Sequence, residues 1–306
     1  MTVSEDPAER QDSAHPHAEP PAPVRVSAAL RGAADILARA GVADPVVDAE
    51  LLIGHVTGLS RGGVQAAYIR DDVLGAEPAA QLRELIARRA NREPLQHLTG
   101  RAAFRHLDLE VGPGVFVPRP ETEILAQLAI DRLNDIQHPR AVDLGTGSGA
   151  IALAMATEAP RAEVWAVERS AEAHAWAARN IARHHSANVH LVHGDLATAL
   201  TELDGTVDVV ASNPPYVPDA AVPRDPEVQQ YDPAEALYGG EDGLDVVRVL
   251  ADVALRLARP GGLVVIEHGE WQGEGVRGIL EAAGWTGAET RPDLTGRDRV
   301  TFAVRP

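Results

Sequence analysis

Ala141-Val142-Asp143-Leu144-Gly145-Thr146-Gly147-Ser148-Gly149-Ala150 is the stretch that decides the fold. A short apolar run enters three glycines at alternate positions, and a helix-forming run from Ala150 to Glu158 follows. Strand, glycine turn and helix make the opening unit of a parallel α/β sheet. Glycines there let the chain turn tightly and approach a ligand, while the free N–H groups of the helix start point outward. The spacing is Gly-x-Gly-x-Gly, whereas a dinucleotide fingerprint has Gly-x-Gly-x-x-Gly, so a nicotinamide cofactor is disfavoured.

Downstream the alternation continues. Strands are expected at Val164–Val167, Val189–Val192, Val207–Ala211 and Leu263–Ile266, with helices over 171–184 and 245–257. Apolar strands separated by helices predict a parallel sheet covered on both faces. Asp298–Val304 alternates polar and apolar residues and is expected to be an edge strand.

Three acids fall at carboxyl ends of the first three strands, where open α/β sheets bind ligands. Asp143 suits the ammonium of an amino-acid moiety lying on the loop Gly145-Thr146-Gly147-Ser148-Gly149. Glu168 lies about 20 residues past the loop, where an acid accepts both ribose hydroxyls. Asp195, in His193-Gly194-Asp195-Leu196, is placed to accept an adenine amino group. After the fourth strand comes Ser212-Asn213-Pro214-Pro215-Tyr216. Two prolines fix φ and carry no N–H, so the turn offers carbonyls without matching donors. With the Asn213 side-chain oxygen it is a rigid acceptor cluster for a planar NH2 group, and Tyr216 adds a flat ring. A nucleoside cofactor with a reactive group, aimed at a planar amine or amide, means S-adenosylmethionine and methyl transfer.

The amino-terminal third differs. Residues 1–24 are rich in Pro, Ala, Glu and His and read as a disordered tail, with His15 and His17 solvated. Residues 25–97 read as a small helical module able to hold a macromolecular partner. Ser27 is expected to cap a helix through Leu30, Ile36 and Leu37 ending at Gly41; Asp44-Pro45 opens the next, with Leu51, Leu52 and Val56 on one face. A third runs from Glu77 to Ala90. Over 98–118, period two on both sides of Gly112-Pro113-Gly114 predicts a β-hairpin linker with that tripeptide as its turn. Residues 119–306 then form the catalytic domain, opened by a helix with Pro120 in its first turn.

The chain has 306 residues, a formal net charge of −17, no cysteine, and arginine as its only long basic residue. Length predicts about two domains. Missing cysteine excludes disulfides and thiolate metal sites, and His184, His185, His190 and His193 lack the pattern of a metal centre. No apolar run reaches membrane-spanning length and no secretory signal opens the chain, which points to a cytoplasmic enzyme, expected to be a monomer. An acidic surface disfavours stable nucleic-acid binding and favours a basic protein partner.

The motifs together resemble a family. Asp143 to Gly149 with Asn213-Pro214-Pro215-Tyr216 is similar to class I methyltransferases acting on amide or exocyclic amino nitrogens. Pro94 to Gly100, Pro118 to Glu123, Tyr231-Asp232-Pro233, Gly239 to Leu244, Glu267-His268-Gly269 and Asp293 to Arg299 narrow the resemblance to the HemK/PrmC family. It implies a five-helix-like amino-terminal domain, a hairpin linker, and a seven-stranded Rossmann-like domain. It further implies S-adenosylmethionine at the 145–149 loop, Glu168, Asp195, Leu196 and Asn213, and catalysis by Asn213, Pro214 and Tyr216. The implied substrate, bound by Asn213, Pro214, Pro215 and Tyr216, is the glutamine of the Gly-Gly-Gln motif of class 1 peptide chain release factors. Arg119 is expected to steady an acid or a substrate carbonyl, or equally to form an interdomain ion pair; Glu267 and His268 are expected in structural or cofactor-side positions more than as a base. The rival is a DNA or RNA methyltransferase acting on an exocyclic amino group, which would need a basic face and a base-flipping pocket.

Overall fold

The computed structural model describes residues 22–306 and divides after Ala90 into two compact units. The expected tail, with His15 and His17, lies outside the described residues as far as residue 21. Val24 does not belong to a tail, because Val24–Arg25 forms a short strand.

The first unit contains β1 (Val24–Arg25), α1 (Val26–Arg39), α2 (Pro45–Thr57), α3 (Arg61–Arg70), β2 (Val73–Leu74) and α4 (Ala76–Ala90). β1 and β2 pair antiparallel. Leu30, Ala33 and Leu37 of α1, Ala49, Leu52 and Ile53 of α2, and Leu82, Leu85 and Ile86 of α4 are buried at helical spacing. Ile36 and Leu51, assigned to buried faces by sequence, are exposed because the three-and-four spacing runs through their neighbours. Ser27 is not the cap: α1 starts at Val26, and the Ser27 hydroxyl donates to Asp71 Oδ1 at 2.6 Å. The helix α3 escaped sequence reading since Gly62-Gly63 weakens its propensity; the Ser60 side chain caps it by accepting from Gly63 N. Among the described residues of this unit there are four helices, where a five-helix-like module is implied by family resemblance.

The second unit begins with α5 (Leu95–Thr99), β3 (Arg101–Phe104) and β4 (Leu107–Glu110). The second compact unit thus takes in residues 91–97, which the sequence assigns to the helical module. The hairpin is β3–β4, and its turn is Arg105-His106, with Arg105 at φ 53°. Gly112-Pro113-Gly114 is instead a loop held by Trp176, whose indole N–H donates to the Pro113 carbonyl at 3.1 Å. Arg105 holds its left-handed turn by tertiary bonds that no local pattern shows. Its backbone N–H reaches Glu123 at 2.9 Å, and its guanidinium holds Glu158.

There follow α6 (Thr122–Asn134), β5 (Arg140–Leu144), α7 (Ala150–Glu158), β6 (Glu163–Glu168), α8 (Ala171–Arg183), β7 (Val189–His193) and β8 (Val207–Ser212). Pro120 lies just before α6 rather than in its first turn. The chain closes with α9 (Pro226–Tyr231), α10 (Ala234–Leu237), α11 (Asp245–Leu257), β9 (Ala258–Glu267), α12 (Gly273–Ala283), β10 (Thr286–Pro292) and β11 (Asp298–Val304). The sheet order is β10-β11-β9-β8-β5-β6-β7. β5 through β9 run parallel, and β11 is antiparallel to β9. Asp298–Val304 is thus not an edge. The edge strand on that side is β10, hidden from sequence reading by its Gly, Glu and Pro and its exposed surface.

Alternating strand residues build two cores. Ala141, Val209, Ala211 and Val265 pack with α6 and α7 on one face. Val142, Leu144, Val210, Val264 and Ile266 pack with α11 and α12 on the other. All six residues of β8 are buried, as a central parallel strand requires. β8 beside β5 brings Asn213 and the glycine loop to one end of the sheet.

Candidate active site

A cavity of about 380 Å³ opens at the carboxyl ends of the parallel strands. Its wall includes Gly145 to Ser148, Glu168, Asp195, Leu196, Asn213, Pro215 and Tyr216. Structure thus brings together most of the residues that sequence singled out. Pro214 is buried and is not part of the wall, Gly149 is the N-cap of α7, and Asp143 lies under the loop.

The loop between β5 and α7 is fixed from below. Gly145 N and Thr146 N both donate to the Val167 carbonyl at 2.9 Å. Asp143 Oδ2 accepts from Thr146 Oγ1 at 2.6 Å and from Ala152 N at 3.1 Å, while its Oδ1 is buried with no partner. Burial pushes the Asp143 carboxyl up to about 7, against those hydrogen bonds. Gly145 and Gly147 hold φ at 78° and 57°, and a Cβ built on either would meet open space. Their backbone conformation, not crowding, requires glycine, and the open space is a cradle for a ligand.

Glu168 ends β6 and already holds the loop: Oε2 accepts from Gly147 N and Oε1 from Ser170 N, both at 2.8 Å. Each carboxylate oxygen keeps a lone pair for a further donor. Asp195 is exposed beyond β7, with Oδ1 held by Ala197 N at 2.9 Å. Asn180, fully buried in α8, donates to the Ser148 and Glu110 carbonyls at 2.9 Å and accepts from Glu110 N at 2.7 Å. It pins the glycine loop to β4. An asparagine inside an amphipathic helix gives no sign of that role.

The Asn213 turn is held just as firmly. Ser212 Oγ donates to the Leu144 carbonyl at 2.6 Å, tying the ends of β8 and β5. Gln272 Nε2 donates to the Tyr216 carbonyl at 2.9 Å, and Val217 N to the Leu237 carbonyl at 2.8 Å. A Cβ on Gly239 would lie 2.5 Å from the Pro215 carbonyl, which explains why glycine stands where this loop crosses the turn. Asn213 Nδ2 donates to Thr122 Oγ1 at 3.2 Å. Tyr216 packs its hydroxyl toward Glu267 Oε1 at 3.5 Å, and burial pushes that hydroxyl's pKa up.

Glu267 is 2% exposed and stands outside the cavity wall. Burial pushes it up to about 7, while the Thr122 hydroxyl and the Arg299 guanidinium pull the other way. His268 is fully buried, with Nδ1 2.8 Å from the Gly269 carbonyl and Nε2 2.8 Å from Thr301 Oγ1. A carbonyl only accepts, so Nδ1 carries the proton and Nε2 accepts from Thr301. Arg119 binds Asp232 at 2.7 Å within the second unit, and its guanidinium also lies over the Phe116 ring. His184, His190 and His193 have separate partners: Asp108, Glu163 and Arg169.

A parallel sheet in this order, with a glycine cradle after its first strand and an acid after its second, defines the class I S-adenosylmethionine-dependent methyltransferase fold. The structure of a T. thermophilus 16S rRNA methyltransferase in complex with AdoMet and guanosine shares it, at a TM-score of 0.51 and 23% identity over 67% of this chain and 50% of that one. Two family models match: the PrmC N-terminal domain over residues 28–100 and the methyltransferase small domain over 106–227. A release factor glutamine methyltransferase of Streptomyces coelicolor is 50% identical over 271 residues, 87% of this chain and 93% of that protein. One from Bifidobacterium longum is 44% identical over 287 residues, 90% and 98% of the two chains. The chain belongs to the release factor glutamine methyltransferase family.

Proposed function

We propose that this enzyme transfers a methyl group from S-adenosylmethionine to the side-chain amide nitrogen of the glutamine in the Gly-Gly-Gln motif of class 1 release factors. The observation that carries this is the place of Asn213: it lines the cavity, and with Nδ2 donating to Thr122 Oγ1 at 3.2 Å its Oδ1 is the acceptor for a bound amide. The cradle fits the methyl donor: open space at Gly145 and Gly147 and the Glu168 carboxylate at the cavity wall match a nucleoside-bearing ligand. Bound there, S-adenosylmethionine supplies an electrophilic methyl carbon.

An amide nitrogen is a poor nucleophile, as its lone pair is delocalised into the carbonyl. Asn213 Oδ1, at the wall of the cavity, accepts a substrate amide proton. Holding it turns the nitrogen lone pair toward the donor and stabilises the charge that builds on nitrogen. Positioning of this kind supplies roughly 7–11 kcal/mol in well-oriented systems. Tyr216 packs over the amide plane and excludes water. The product proton can leave after transfer, so no strong base is required.

Mass spectrometry of a class 1 release factor after incubation with enzyme and S-adenosylmethionine tests the assignment. One methyl gained on the Gly-Gly-Gln peptide is expected; an unmodified peptide, with methylated nucleic acid instead, would install the rival. Glu168→Ala removes two charged hydrogen bonds from the loop and is expected to weaken cofactor binding about 10- to 100-fold. Calorimetric titration with S-adenosylmethionine measures it, and an unchanged affinity would remove Glu168 from the cofactor site.

A further inference from the structure

We infer that Asn180 is a positioning residue for the methyl donor, and that through it cofactor binding is coupled to the β3–β4 hairpin; the inference rests on the cofactor role of the Gly145–Gly149 loop proposed above. Asn180 lies in α8 with no exposed surface and outside the cavity wall. Its oxygen and both hydrogens of its NH2 have partners. Glu110 N can only donate, so Oδ1 faces it at 2.7 Å. Nδ2 then donates to the Glu110 and Ser148 carbonyls, each at 2.9 Å. Turned the other way, the amide would set its oxygen against two carbonyls and its NH2 against an N–H.

The start of α7 leaves the Ser148 carbonyl to Asn180, because Ala152 N, the donor one turn on, goes to Asp143 Oδ2 at 3.1 Å. On the other side of the same peptide, Gly149 N donates to the Thr146 carbonyl at 2.9 Å. The Ser148–Gly149 peptide is therefore held at both ends, with its carbonyl turned to α8 and not into the cradle. Gly147 and Ser148 line the cavity, so this peptide sets part of the surface on which a ligand lies.

At the hairpin the same amide takes both backbone groups of Glu110, the last residue of β4. One turn earlier on that face of α8, the Trp176 indole donates to the Pro113 carbonyl at 3.1 Å. The chain held in this way goes on to supply Gly114 and Phe116 to the cavity wall. One face of α8 thus fixes two walls of the cavity, and Asn180 is bonded to both the loop and the hairpin. A ligand that orders the loop also orders Asn180 and Glu110; by reciprocity, freeing Glu110 weakens the ligand.

Calorimetric titration with S-adenosylmethionine tests this on Asn180→Leu and Asn180→Asp. Both lose the double donation, and the Kd is expected to rise about 5- to 50-fold at neutral pH. Asn180→Asp gives the readout that general destabilisation would not. Its carboxylate would face two carbonyls in a buried place, which holds its pKa above the usual carboxylate range. As pH falls the group becomes neutral, donates to one carbonyl and accepts from Glu110 N. The deficit in affinity against wild type should then narrow, and a deficit that stays the same as pH falls overturns the positioning role. In 15N-labelled wild type, S-adenosylmethionine should slow exchange of the Glu110 amide about fivefold or more, an effect lost in Asn180→Asp at neutral pH. A Glu110 amide indifferent to cofactor in wild type overturns the coupling. If Asn180→Leu binds cofactor like wild type while Glu168→Ala binds it weakly, the inference alone falls; if both bind like wild type, the cofactor role of the loop falls with it.

Discussion

Asn213→Ala is expected to lower methyl transfer by about 10²–10³-fold, the range found when one preorganised polar group is removed from a charged transition state. Cofactor affinity should change far less, because the cradle around Gly145, Gly147 and Glu168 is held by bonds that do not involve Asn213. Thr122 loses one hydrogen bond in this variant, and its position at the start of α6 is otherwise fixed. Single-turnover rates on a release factor, beside calorimetric titration with S-adenosylmethionine, separate the two effects. Full turnover in Asn213→Ala would refute the role given to that side chain.

Gly243→Ala is expected to be the most damaging small substitution outside the cavity. Gly243 holds φ at 77°, and an added Cβ would run into the Tyr216 carbonyl and, at 2.7 Å, Gln272 Nε2. The first neighbour is backbone and cannot rotate away; the second is the side chain that holds the same carbonyl. Left-handed strain plus overpacking costs about 3 kcal/mol. In a unit of this size that lowers Tm by about 6–12 °C. Relief of the overlap has to move the Tyr216 backbone, so the surviving folded enzyme should also lose kcat. Differential scanning calorimetry and turnover should fall together; a variant as stable and active as wild type would show that Gly243 does not fix the turn.

These two residues show the two kinds of information in the chain. Asn213 was legible because its cues are local: an apolar strand, two prolines that stop it, and an acceptor side chain between. Gly239 to Leu244 was legible only as a motif, since the clash that explains it lies with a segment more than twenty residues earlier. The glycine loop and Glu168 were placed correctly at the sheet end by strand–helix alternation, whereas Asn180, Thr122 and the Gln272 clamp were not singled out for these roles. Each of those acts through partners distant in sequence, on elements whose local pattern is an ordinary helix start or helix face.

By itself the sequence determined a parallel sheet, the glycine loop after its first strand and the stiff Asn213-Pro214-Pro215 turn at the same end, because period, glycine spacing and proline act over a few residues. Tertiary structure decided the hairpin turn at Arg105, the interior place of β11, and the way the Asn213 amide faces. Those depend on hydrogen bonds closed between distant segments, and a bond's direction is settled only when both of its ends are in place.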